Sequence, residues 1–168
     1  MPVVSGAEFL KAARKGGYAV GGFNTNNLEW TQAILEAAEA KQAPVLIQTS
    51  MGAAKYMGGY KVAKDIICDL VESMNITVPV AIHLDHGDYD AAMECIEVGY
   101  TSVMFDGSHL PFEENLKLAK EVVEKAHAKG ISVECEVGSI GGEEDGFIGN
   151  GELADIEECK QMVATGID

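Results

Sequence analysis

His83-Leu-Asp-His-Gly87 places two histidines and an aspartate within one short segment, directly after the largely apolar stretch 78–82. Imidazole nitrogen and carboxylate oxygen together suit zinc or a similar divalent ion, and a carboxylate can also carry a proton during catalysis. Four other apolar stretches also end in polar residues, at Asn24, at Thr49-Ser50, at Asp106 and at Glu134-Cys135-Glu136. If these stretches are parallel strands, their ends lie together, because parallel α/β folds build their sites at the C-terminal ends of the strands. One polar strand end would mean little. Five in register suggest a site.

Side chains alternate between the two faces of a strand, so Ala81, His83 and Asp85 share one face while Ile82 and Leu84 take the other. Likewise Glu134 and Glu136 oppose Val133, Cys135 and Val137. The apolar sets should meet helices, which turns the carboxylates to the sheet's other side. In an open doubly wound sheet that side is also covered by helices, and the acids would be buried without water. In a barrel they face the axis near its mouth. Converging carboxylates repel one another unless a cation or a raised pKa relieves them. The residues therefore predict a divalent metal near His86, Asp106 and Glu136, with Asp85 alongside. His86 must leave the strand's alternation to reach the mouth, which Gly87 directly after it would allow. The chemistry expected is that of a metal-dependent lyase, isomerase or hydrolase acting on a small polar molecule.

The elements that must position these groups alternate along the whole chain. Ser5-Gly-Ala-Glu8 is a capping box opening a short helix to about Lys15. Strands are expected over 18–23, 44–49, 78–84, 101–105 and 131–137, and helices over 28–41, 53–56, 60–74, 89–98, 112–129 and 156–164. A glycine- and acid-rich loop is expected over 138–151. Five βα units in a row mean a parallel sheet with helices outside: an open five-stranded sheet, or the first part of a (β/α)₈ barrel. Length favours the open sheet and the alternation favours the barrel.

Composition excludes several classes. Asp and Glu number 27 against 12 Lys and Arg, a formal net charge of −15, which argues against nucleic acid or an anionic membrane as partner. No window approaches 18 uninterrupted apolar residues, and the N-terminus lacks the basic and apolar regions of a signal peptide, so a cytoplasmic protein is expected. Cys68, Cys95, Cys135 and Cys159 form no C-x-x-C and read as reduced core thiols.

Further segments extend the pattern: Gly21-Gly-Phe-Asn24, Gln48-Thr-Ser-Met51, Lys55-Tyr-Met-Gly58, Thr101-Ser-Val-Met-Phe-Asp106, Pro111-Phe-Glu-Glu-Asn115, Ser132-Val-Glu-Cys-Glu-Val-Gly138 and Gly141-Gly-Glu-Glu-Asp145. With His83-Leu-Asp-His-Gly87, in this order and spacing, the chain resembles the class II, zinc-dependent fructose-1,6-bisphosphate aldolases of bacteria nearly from end to end. The resemblance implies a (β/α)₈ TIM barrel of which this chain supplies roughly the first five βα units, residues 1–168 being the N-terminal portion of one domain. By position, His86 matches the first ligand of the catalytic zinc. Asp106 and Glu136 match ligands of a second, more buried divalent-metal position. Asp85 matches the acid/base that handles the hydroxyl proton at the C3–C4 bond, and Glu144 the one that moves the proton on the dihydroxyacetone-phosphate carbon. Asn24 and Ser50 match substrate-contacting positions.

The implied reaction is reversible cleavage of fructose 1,6-bisphosphate to dihydroxyacetone phosphate and glyceraldehyde 3-phosphate in glycolysis and gluconeogenesis, with zinc polarising the ketone carbonyl and no lysine Schiff base. The family's other two zinc histidines and much of its phosphate site lie beyond residue 168. The remaining barrel strands are therefore an expected partner, the full enzyme is expected as a homodimer or homotetramer, and residues 1–168 alone are expected to be inactive. Three alternatives stand beside this: a tagatose-bisphosphate aldolase, a catalytically silent chain binding a sugar phosphate or a partner, and a five-stranded flavodoxin-like module. Taken singly, His83 reads as structural or supporting, His109 as a loop or helix-start residue, and His127 as solvated.

Overall fold

The computed structural model describes residues 2–139, 141–144 and 147–168, the side chains of 143, 144 and 147–150 excepted. Its sheet has five strands: β1 (Gly21–Asn24), β2 (Val45–Ser50), β3 (Val80–Gly87), β4 (Ser102–Phe105) and β5 (Ser132–Cys135). All neighbours pair in parallel, in the order β1-β2-β3-β4-β5. That order decides between the two architectures. A doubly wound sheet reverses at a switch point, whereas a (β/α)₈ barrel adds each strand beside the last. The chain is α/β, with five consecutive strands in barrel order.

The helices are α1 (Gly6–Gly16), α2 (Leu28–Lys41), α3 (Met51–Met57), α4 (Tyr60–Ser73), α5 (Tyr89–Val98), α6 (Phe112–His127) and α7 (Ile156–Val163). Several begin at a side chain that replaces a lost backbone partner. Asn27 Oδ1 accepts from the Trp30 N–H, Asp88 Oδ1 from Ala91, and Asp155 Oδ1 from Glu157, each at 2.8 Å. Ser5 is the N-cap of α1 but makes no side-chain bond there, so the expected capping box does not form. Burial of Phe9 and Ala13 on one face of α1 holds it instead.

The two faces of the sheet differ as the alternation requires. Val45, Ile47, Val80, Ile82, Leu84, Val103, Phe105 and Val133 join Leu35, Ile67, Val71, Ile96 and Val122 of the surrounding helices in one core. Each such side chain stabilises the fold by roughly 1.5–3 kcal/mol. On the other face Leu46 and Ala81 meet Phe9 in a small second cluster. A Cβ added to Gly6 would lie 3.0 Å from Ser132 Oγ and 3.4 Å from Ser102 Oγ, so the start of α1 is pressed against this inner face near the N-terminal ends of β4 and β5. The C-terminal ends are left to the polar residues.

Two further expectations are corrected. The stretch expected as a loop contains an antiparallel hairpin, β6 (Gly141–Glu144) with β7 (Phe147–Asn150). Glycines and acids carry no strand preference, so a ladder held by backbone bonds leaves little trace in composition. His127 is exposed, as expected, and its Nε2 also lies 2.9 Å from Asp168 Oδ2. The Asp168 N–H also donates to the Val133 carbonyl at 3.0 Å, extending pairing along β5. The cysteines are all free, but only Cys95 is fully buried. Among the described residues, no helix is long and apolar enough to cross a membrane.

Candidate metal centre

The end of β3 breaks its own alternation. Leu84 pairs with Val103 and Gly87 with Phe105, so β3 spends one more residue than β4 over the same span, which is a β-bulge. The extra residue allows Asp85 and His86 both to be presented at the strand end. His86 takes φ 47°, a left-handed conformation that costs a non-glycine residue about 1 kcal/mol and is tolerated mainly where a site requires it. The expectation placed that conformational freedom on Gly87. The structure gives Gly87 a different role, because a Cβ there would lie 2.2 Å from Leu84 Cδ2 and 2.8 Å from its Cγ. Leu84 is fully buried, so Gly87→Ala should destabilise the fold by about 1–3 kcal/mol through overpacking. Unchanged urea unfolding of that variant would show that β3 has slack at the bulge.

From this bulge His86 Nδ1 lies 2.9 Å from Asp106 Oδ2 and 3.7 Å from Glu136 Oε2. One ligand atom from each of the three residues can be chosen so that all lie within 4.8 Å of one another. All three side chains are half-buried, between 18% and 21% exposed. Burial alone would push the Asp106 carboxyl up, but hydrogen bonds from His86 and from the Ser108 N–H at 3.0 Å outweigh it and hold the group below its ordinary range. Asp106 is thus kept as an anion. An imidazole nitrogen and two carboxylates crowded together in a setting of reduced hydration match the donor chemistry of a divalent cation, and the group fits one.

Beside it, Asn24 Nδ2 donates to Asp85 Oδ2 at 2.6 Å. Asp85 is in register with Ser50 on β2. Ser50 Oγ accepts from the Ala53 N–H at 3.2 Å and caps α3. Asn24, Ser50 and Asp85 therefore line adjacent strand ends. Glu144 lies on β6, and its side chain falls outside the described residues, as do Asp145 and Gly146 altogether.

One layer below, His83 is 2% exposed and bonds Ser102 Oγ through Nδ1 at 2.8 Å. Burial pushes its pKa down to about 4 against the pull of Asp85, so it is neutral and structural. Its Nε2 lies 3.6 Å from Glu134, whose carboxyl is raised by lost hydration and by the Asp85 charge. That side chain remains 60% exposed, so the shift has little energetic weight. Two contacts escaped the sequence reading, the Ser108 N–H on Asp106 and the Asn115 side chain on the Glu136 carbonyl at 2.9 Å. Ser108 precedes α6 and Asn115 lies near its start, and neither residue type announces such a contact.

The sequence profile of the family described as class II fructose-bisphosphate aldolase matches residues 4–168. The chain belongs to that family. It is 81% identical over its full length to a fructose-bisphosphate aldolase of Streptococcus pneumoniae, spanning 57% of that relative. It is 55% identical to the fructose-bisphosphate aldolase of Geobacillus stearothermophilus, spanning 60% of it. A solved structure of a putative fructose-1,6-biphosphate aldolase from Coccidioides immitis superposes with a TM-score of 0.86 at 32% identity, over all of this chain and 60% of that one. The chain thus spans little more than half the length of these relatives.

Proposed function

We propose that the full-length protein is a zinc-dependent lyase that reversibly cleaves fructose 1,6-bisphosphate to dihydroxyacetone phosphate and glyceraldehyde 3-phosphate. The observation that carries this is the convergence of His86, Asp106 and Glu136 at the mouth of a family-typical sheet, next to the Asn24–Asp85 pair. Names of relatives support the substrate, and the mixed nitrogen and oxygen donors support zinc or a similar ion. When bound, such an ion supplies Lewis-acid polarisation of a substrate carbonyl. His86 would hold it, with Asp106 and Glu136 ligating a second divalent-metal position beside it. Asp85, oriented by Asn24, takes the C4 hydroxyl proton as the C3–C4 bond breaks and returns it in condensation. Glu144, on the β6 hairpin, exchanges the proton on the dihydroxyacetone-phosphate carbon. Asn24 and Ser50 contact the substrate. Residues 1–168 form the N-terminal portion of one barrel domain and are inactive alone, since among the described residues β1 and β5 are sheet edges and His86 is the single histidine of the metal group. The complete protein acts in the cytoplasm as a homodimer or homotetramer.

The deciding experiment follows triose-phosphate release from the two C4-epimeric bisphosphates by full-length protein, before and after chelation. Cleavage of the fructose substrate that chelator abolishes and Zn²⁺ restores is the expected result. Preference for tagatose bisphosphate would reassign the substrate, and turnover that survives complete metal removal would sink the metal reading.

A further inference from the structure

The side-chain amide of Asn115 is built into the seam between the two strands that present Asp106 and Glu136. Pairing of β4 with β5 ends at Phe105 and Cys135, so both carboxylates project one residue beyond the last rung of the ladder. Asp106 is steadied there by its N–H bond to the Gly87 carbonyl, 2.9 Å. The Glu136 backbone is held by Asn115, whose Nδ2 donates to its carbonyl at 2.9 Å. The other half of the amide reaches the neighbouring strand end: a Cβ on Gly107, the residue after Asp106, would lie 2.5 Å from Asn115 Oδ1 and 2.9 Å from its Cγ. One side chain thus touches the chain next to both carboxylates.

This placement is unfavourable for folding alone. Asn115 is 2% exposed on a helix face shared with Leu116, Ala119 and Val122, and its Oδ1 has no hydrogen-bond partner among the described residues. A buried acceptor left unmet costs more than an apolar side chain of the same shape would. We infer that Asn115 is a positioning residue, which fixes Glu136 against Asp106 so that the pair can hold a divalent metal. The inference rests on the metal reading above. Groups that orient metal ligands typically change affinity by 10- to 100-fold when removed.

Co²⁺ is the probe, titrated into metal-free full-length protein and followed by visible absorption and by competition with a chelator. Asn115→Leu keeps the shape and removes the unmet acceptor, while Asn115→Ala leaves a cavity. The two should differ in thermal stability yet share the same defect, a Kd at the Asp106–Glu136 position raised about tenfold or more with an altered Co²⁺ spectrum. Asp106→Asn tests the metal reading itself and should weaken the same position. If Asp106→Asn binds Co²⁺ like the parent, the metal reading fails and takes the role of Asn115 with it. If Asp106→Asn is defective but the folded Asn115 variants keep the parent's affinity and spectrum, or lose affinity only in step with stability, Asn115 is a packing residue and the inference is overturned. Should one Asn115 variant fail to fold, the other decides by the same criterion.

Discussion

Asp85→Asn in the full-length protein should lower kcat by roughly 10²–10⁴-fold, the usual contribution of a positioned general acid or base. The substitution preserves shape, and an asparagine can still turn its carbonyl oxygen toward Asn24 Nδ2, which now donates to Asp85 at 2.6 Å. What it cannot do is accept the substrate's hydroxyl proton at ordinary pH. KM should therefore change little while kcat falls, the pattern of an interaction needed only in the transition state. Steady-state kinetics on the variant, with metal content matched to the parent, make the comparison. A variant that turns over at the parent's rate would remove Asp85 from the mechanism.

The second large effect is on acid stability. His83 is buried beneath the site with its pKa held near 4, against an ordinary value of 6.5. Below pH 6.5 the unfolded chain binds a proton that the native protein refuses, so stability falls as pH drops and levels off once the native group also titrates near pH 4. The depressed value corresponds to about 3 kcal/mol lost across that window and none lost above it. Urea unfolding of metal-free full-length protein from pH 7 to 4 would show the slope, and His83→Asn, which retains a nitrogen or oxygen for Ser102, should flatten it. Equal slopes in parent and variant would place the acid sensitivity elsewhere.

Much of this was legible before any coordinates. The strict alternation in Ala81-Ile82-His83-Leu84-Asp85 fixes which residues meet helices, because burial of Ile82 and Leu84 leaves His83 and Asp85 no other side. The grouping of His86, Asp106 and Glu136 followed from strand ends alone and from the resemblance. Other features were hidden for physical reasons. Steric room over Leu84 and left-handed backbone at His86 are properties of three-dimensional packing, and a glycine in the sequence does not say which of the two it serves. His127 finds Asp168 across a long sequence separation. Asn115 reads as one more polar residue near a helix start until its burial and unmet oxygen are seen.

The sheet order has one more consequence, for how the molecule is made. Within the five-stranded sheet each strand from β2 to β5 pairs with the strand synthesised just before it, the longest step being from Val45 to Val80. No strand has to wait for a distant stretch of polypeptide before it can dock. Each βα unit leaving the ribosome finds its template already in place, so the metal-binding end of the sheet is assembled by vectorial growth, with Asn24 laid down first and Glu136 last.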